Sequence, residues 1–123
     1  MCEILDDSSD TRETLSEERQ RIRELNDSLR RTFMGGQVIM TAGFADLPAG
    51  IKAQAIAAIR SFDDFDRGSD PYLEHDFGNV EVGGHTVWFK IDYYDRSLKY
   101  GSPDAADPSV TTRVLTILLP EEY

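Results

Sequence analysis

Residues Glu74 to Tyr94 read EHDFGNVEVGGHTVWFKIDYY. Two runs of alternating apolar and polar residues flank Gly83-Gly84, a hairpin signal because both central positions of a type I′ turn require positive φ. With those glycines as the loop, Val82 faces His85, Val80 faces Val87, Gly78 faces Phe89, Asp76 faces Ile91 and Glu74 faces Tyr93. Strand side chains alternate between faces, so the other face carries Glu81/Thr86, Asn79/Trp88, Phe77/Lys90 and His75/Asp92 as cross-strand pairs. The first set is apolar enough to form a core. The second is polar and aromatic, and is where a functional surface can lie.

Upstream, Thr14-Leu15-Ser16-Glu17 has the spacing of a capping box, and Ile22, Leu25, Leu29 and Phe33 then recur at helical spacing until Gly35-Gly36 stops the run. The other face of this helix interleaves Arg19, Arg21, Arg23, Arg30 and Arg31 with Glu18, Glu24 and Asp27, a pattern that reads as a solvated, ion-paired surface. Gln37 to Thr41 is a short β-prone run. A second helix follows, with Asp46 as its cap, Pro48 in its first turn, and Ile51, Ala55, Ala58, Ile59 and Phe62 as its apolar stripe. Residues 63–71 form an acidic loop. After the hairpin, residues 97–109 (SLKYGSPDAADPS) are a connection rich in turn formers, and Thr111 to Leu119 is a β-branched last strand ended by Pro120. The order helix, strand, helix, three strands implies an α+β two-layer sandwich, with two helices packed on a four-stranded, mostly antiparallel sheet around a central β-hairpin.

The length of 123 residues suits one domain, placed at residues 14–123. Residues 1–13 (MCEILDDSSDTRE) read as a flexible acidic arm. Cys2 is the sole cysteine, so neither an intramolecular disulfide nor a Cys-based zinc site can be assembled. No apolar run approaches the roughly 20 residues that span a bilayer, and the first ten residues are acidic where a secretory signal is basic. The expectation is a cytoplasmic protein with no membrane contact. Acidic residues number 23 against 13 Lys plus Arg, a formal charge of −10. That balance disfavours direct contact with a nucleic-acid backbone and suits a partner whose own surface is basic. It also serves plain solubility.

The blocks EHDFG (74–78), FKIDYYD (89–95) and GSPDAADPSVTTRVLTILLPEEY (101–123), with RIRELND (21–27) and TAGFADLP (41–48), resemble a family of small uncharacterised proteins, a domain of unknown function, encoded on plasmids and other mobile elements of alphaproteobacteria. The resemblance covers about residues 20–123. It implies a mobile-element setting, where small accessory proteins act against host defence nucleases. The family has no catalytic residues to transfer.

Two candidate sites follow from the residues themselves. Asp63, Asp64, Asp66 and Asp70, continued by Glu74 and Asp76, form a run of carboxylates that can imitate a phosphate path and occupy a basic channel. As a calcium loop the run fails, because a loop starting at Asp64 puts Gly68 at a ligand position and Ser69 at the glycine position. Adjoining it, Phe77, Trp88 and Tyr94 share the second face of the hairpin and offer aromatic anchors for a protein partner, or for a second copy of the chain in a homodimer. The alternative is a small enzyme in which His75, oriented by Asp92, serves as general base. Against it, no nucleophile elbow, phosphate loop, dinucleotide fingerprint or zinc-protease motif is present, so neither a metal nor a cofactor is expected. The favoured expectation is a non-enzymatic acidic protein that binds and inhibits a nucleic-acid-handling partner, an anti-CRISPR or anti-restriction factor acting by nucleic-acid mimicry. A plasmid-maintenance or regulatory binding role is the other alternative.

Overall fold

The computed structural model describes residues 16–65, 68 and 70–123. The arm at 1–13, Cys2 and Asp66 lie outside the described residues. Helix α1 (Glu17–Thr32) is capped by Ser16, whose Oγ accepts the Arg19 N–H at 3.1 Å. Thr14 lies outside the described residues. The helix also ends before Gly35-Gly36: Phe33 turns left-handed at φ 59 and donates its N–H to Leu29 O at 2.7 Å, closing the last turn. Strand β1 (Gln37–Met40) leads into a one-turn helix α2 (Ala42–Ala45), which Thr41 caps. This extra turn takes Asp46 at its C-terminal end, so α3 (Ala49–Arg60) starts from Pro48 with no side-chain cap. Strands β2 (Phe77–Val82), β3 (His85–Tyr94) and β4 (Thr112–Leu118) follow, then a 3-10 turn at Pro120–Glu122.

The sheet order is β1-β4-β3-β2. β3 runs antiparallel to both β2 and β4, and β1 joins β4 in parallel, from Gln37/Val114 to Met40/Ile117. The fold is thus α+β, with a mostly antiparallel four-stranded sheet and one parallel pair. The hairpin contributes one interior strand, β3, and one edge strand, β2. Its register is the expected one at every pair from Val82/His85 to Phe77/Lys90, and Gly83 and Gly84 take positive φ as the turn requires.

All three helices contribute to one face. Leu29 of α1, Phe44 of α2, and Ala55 and Ile59 of α3 pack on Val80, Val87, Phe89, Ile91, Leu115 and Ile117. Each large apolar side chain buried there contributes roughly 1.5–3 kcal/mol. Of the other expected helix contacts, Ile22 is buried while Leu25, Ile51 and Phe62 are half-buried.

The arginine-rich face of α1 is only partly solvated. Arg30 is wholly buried. Its guanidinium donates to Ile59 O at 3.0 Å and Arg60 O at 3.3 Å, and to Asp27 Oδ1 at 2.9 Å. Arg60 reciprocates, donating from Nε to Arg31 O at 2.8 Å. Each helix end thereby receives a cation where its dipole is negative.

The opposite face of the sheet receives no α-helix among the described residues. It carries Gln37 and Ile39 of β1, Phe77, Asn79 and Glu81 of β2, the residues from Thr86 to Tyr94 at even numbers on β3, and Thr112, Val114, Thr116 and Leu118 of β4. Val114 and Leu118 are buried, while Phe77, Trp88 and Tyr94 are half-buried and Ile39 is exposed. Among the described residues, no helix is long and apolar enough to cross a membrane.

Candidate functional site

Trp88 is the centre of the open face. Phe77 stands beside it edge-on at 5.2 Å between ring centroids, as the Asn79/Trp88 and Phe77/Lys90 pairings dictate, and Tyr123 approaches from the other side at 5.8 Å. These rings, with Pro71, Tyr72 and Asp76, line a groove of about 440 Å³. Phe77 and Trp88 also line a second depression of about 400 Å³, which runs past edge strand β2 to Phe62, Asp64, Asn79 and Glu81. The two hollows share Phe77 and Trp88 and have Asp64, Asp76 and Glu81 among their lining residues. Tyr94 lies on the same face but further along β3, opposite Thr112, and does not line either hollow.

The groove is completed by residues whose sequence context hides them. Tyr72 follows Pro71 in the loop before the hairpin, and Tyr123 follows the C-terminal turn; both are mostly exposed. Tyr123 is delivered by Glu122. That carboxylate accepts from the Thr41 hydroxyl, from Gly43 N at 2.8 Å and from Leu119 N at 2.9 Å, bending the chain back over the sheet end. The Thr41 bond holds the Glu122 carboxyl below its ordinary range. No periodicity marks Tyr72 or Tyr123; Pro120, which stops β4, is the one local hint of a return.

The carboxylates divide sharply by role. Asp63 and Asp64 are exposed on the loop after α3. Asp70, expected at the partner surface, is instead wholly buried: its two oxygens accept the N–H groups of Glu74 and His75, each at 3.0 Å. Glu74 is engaged as well. Its Oε1 accepts from the Tyr93 hydroxyl at 2.9 Å and its carbonyl from Asn26 Nδ2 at 3.0 Å. Buried Asn26 continues the chain, donating to the Tyr93 oxygen at 2.8 Å and accepting from Arg113 Nε at 2.8 Å. Burial pushes the Tyr93 phenol up, so it stays a neutral donor. Buried polar groups joined in this way fix the loop that carries Tyr72 and Asp76.

His75 and Asp92 do not pair, contrary to the extrapolated register. The tether from Asp70 turns the backbone before β2 starts, and His75 adopts φ 59, which breaks the strand alternation. Its ring stacks flat on Phe65 at 3.9 Å, and Nδ1 lies 2.9 Å from Asp27 Oδ1 of α1. Asp92 stays on the open face and accepts from Lys90 Nζ at 2.7 Å. The imidazole therefore belongs to the helix–loop clamp around Arg30 and Asp27. Among the described residues, no group of three or more His, Cys, Asp or Glu side chains is arranged to hold a metal ion.

The titration of Asp76, in the groove lining, is displaced: burial, then the charges of Asp70 and Glu74, push it up to about 6. Its folded state binds a proton more tightly than the unfolded chain does, so it lowers stability as pH rises from about 4 through 6. At about 1.4 kcal/mol per pH unit the displacement is worth at most ~3 kcal/mol. Solvent screening of a half-buried group reduces this to ~1–2 kcal/mol. Asp76→Asn is expected to be more stable than the parent by that amount at pH 7.5 and equal to it near pH 4. Urea midpoints at the two pH values check this; an advantage that does not shrink on acidification contradicts it.

No curated protein and no solved structure matches the chain. A protein family described as a protein of unknown function, DUF3768, matches residues 40–122, which hold the whole sheet apart from most of β1, together with α2, α3 and every residue of the groove but Tyr123. The chain belongs to this family of uncharacterised proteins, DUF3768.

Proposed function

We propose that the protein is an acidic binding module that grips the basic surface of a nucleic-acid-handling protein and keeps that partner from its nucleic acid. The observation that carries this reading is the groove of Tyr72, Phe77, Trp88 and Tyr123 on a sheet face without a covering α-helix among the described residues, bordered by Asp64, Asp76 and Glu81. Tryptophan and tyrosine anchor interfaces because they bury large area at little entropic cost, and surrounding charge selects and steers the partner. The chain's charge of −10 matches a cationic surface. In the mobile-element setting that the sequence resemblance implies, a host defence complex of the CRISPR or restriction type is such a partner, and the protein works in the cytoplasm. Asp63 and Asp64 supply a phosphate-like margin, whereas the aromatic groove supplies the grip. Mimicry is therefore the lesser part of the mechanism.

The test is capture of the partner from a host extract by the protein and its Trp88→Ala variant, across a salt series. The expected result is a basic protein released as salt rises, held at least about tenfold more weakly by the variant, since an interface anchor contributes ~2 kcal/mol or more. Charge reversal of Asp63 and Asp64 is expected to slow association more than it weakens the final complex. Equal retention by parent and Trp88→Ala would sink the reading. So would a dimer by light scattering that Trp88→Ala dissociates, because a second copy would then occupy the face.

A further inference from the structure

We propose that the groove between Tyr72, Trp88 and Tyr123 is a receptor for an arginine side chain of the partner, which lays its guanidinium on the Trp88 ring with Asp76 as counter-charge. This deepens the binding-module reading and rests on it for the identity of the occupant as part of a protein. Three observations support the assignment. The groove's volume of about 440 Å³ falls in the range of roughly 300–1,000 Å³ typical of ligand sites. Its walls are aromatic on several sides, with Phe77 and Tyr123 both edge-on to Trp88 at 71° between planes. The negative charge is local as well as global, since Asp76 lies in the lining.

The protein's own arginines show what its rings accept. The Arg19 guanidinium lies 4.8 Å from the centroid of Tyr72, Arg60 lies 5.4 Å from Phe33, and Arg113 lies 5.1 Å from Tyr93. Trp88, the ring type that attracts cations most strongly, carries none among the described residues. Lys90, its neighbour on the same face, is committed to Asp92. Arginine fits better than lysine because its flat, weakly hydrated guanidinium can stack on a ring while its edge N–H groups meet a carboxylate. A basic partner thus finds a specific foothold within a broadly attractive surface.

Trp88 is the only tryptophan, so its emission reads the groove directly. The probe is an acetylated Gly-Arg-Gly-Arg-Gly amide, titrated beside the same peptide with citrulline or lysine in place of arginine. The expected result is a saturable change in Trp88 emission with the arginine peptide, at least about tenfold weaker with citrulline and several-fold weaker with lysine. Asp76→Asn and Tyr72→Ala should each weaken binding by about threefold to tenfold. The groups around Asp76 are Asp70 and Glu74 of the preceding loop, Tyr93 and Asp92 with its partner Lys90 on β3, the lining rings of Tyr72 and Tyr123, and Arg19 of α1, whose guanidinium lies over Tyr72. Binding should therefore strengthen between pH 5 and pH 7.5 in the parent, as Asp76 loses its proton, and less so in Asp76→Asn. Equal binding of the citrulline peptide overturns the charge-based site, and equal binding of the lysine peptide overturns its assignment to arginine. Peptide binding without partner capture would remove the protein partner and keep the receptor. Capture that depends on Trp88, without any arginine response, would do the reverse.

Discussion

Arg30→Ala is expected to lower folding stability by about 3–5 kcal/mol, the range found when one member of a buried charge pair is removed. The side chain is wholly buried on α1, and its loss would act in three places. The carbonyls of Ile59 and Arg60 at the end of α3 would lose a charged donor. Among the described residues Asp27 would keep only His75 as a side-chain partner, leaving a carboxylate of low exposure undercompensated. A void would also open beside the Phe65 and Phe89 rings, over which the guanidinium lies at 5.3 and 5.9 Å. The pairwise part can be isolated. Arg30→Met keeps most of the volume and removes the charge; combined with Asp27→Leu, it should recover part of the loss, because the stranded carboxylate is then gone. Urea unfolding of the four proteins, with a shifted midpoint at constant slope, measures the coupling. A loss below about 1 kcal/mol in Arg30→Ala would mean that the ion pair and both carbonyl contacts contribute nothing net.

The contrast between Arg30 and the hairpin shows which interactions a sequence makes readable. The pairs from Phe77/Lys90 to Val82/His85 follow from two local facts, a Gly-Gly turn and a period of two, and they hold in the fold. The same logic fails two residues further, at His75, because Asp70 seizes its backbone N–H and strand geometry ends. Nothing in the alternation signals that tether. Arg30 is likewise hidden: arginines and acids three and four apart describe a solvated helix face, and only the arrival of the α3 terminus over one position turns it into a buried cap. Half of the groove was legible for the same reason, Phe77 and Trp88 being fixed by register. Tyr72 and Tyr123 reach it through a loop and a terminal turn whose paths depend on Asn26, Asp70 and Glu122, side chains that act over long sequence separations.

Gly78→Ala is expected to destabilise the protein by about 2–3 kcal/mol, opposite in sign to what strand propensity alone implies. Gly78 is a buried residue, second in β2, paired with Phe89 and without positive φ. Judged by backbone alone, alanine should gain roughly 0.5–1 kcal/mol there by restricting the unfolded chain. A Cβ at this position would, however, stand 2.3 Å from Phe89 Cε2, 2.6 Å from its Cζ and 2.9 Å from Phe62 Cε2. Neither ring can step aside cheaply. Phe89 is fully buried in the core, and Phe62 meets it edge-on at 5.4 Å while also touching Phe65 at 4.8 Å. Phe65 in turn is stacked on His75, so the displaced rings push towards the clamp that sets the start of β2. The glycine is therefore a slot that lets Phe89 lie across the edge strand, and the strand gives up local stability to admit the ring. Phe89→Leu in the Gly78→Ala background tests this directly. By shortening the side chain that fills the slot it should offset part of the alanine's cost, although Phe89→Leu alone destabilises by leaving a void. A stabilised Gly78→Ala, or strictly additive effects of the two changes, would show that the Phe89 ring is not held in this way.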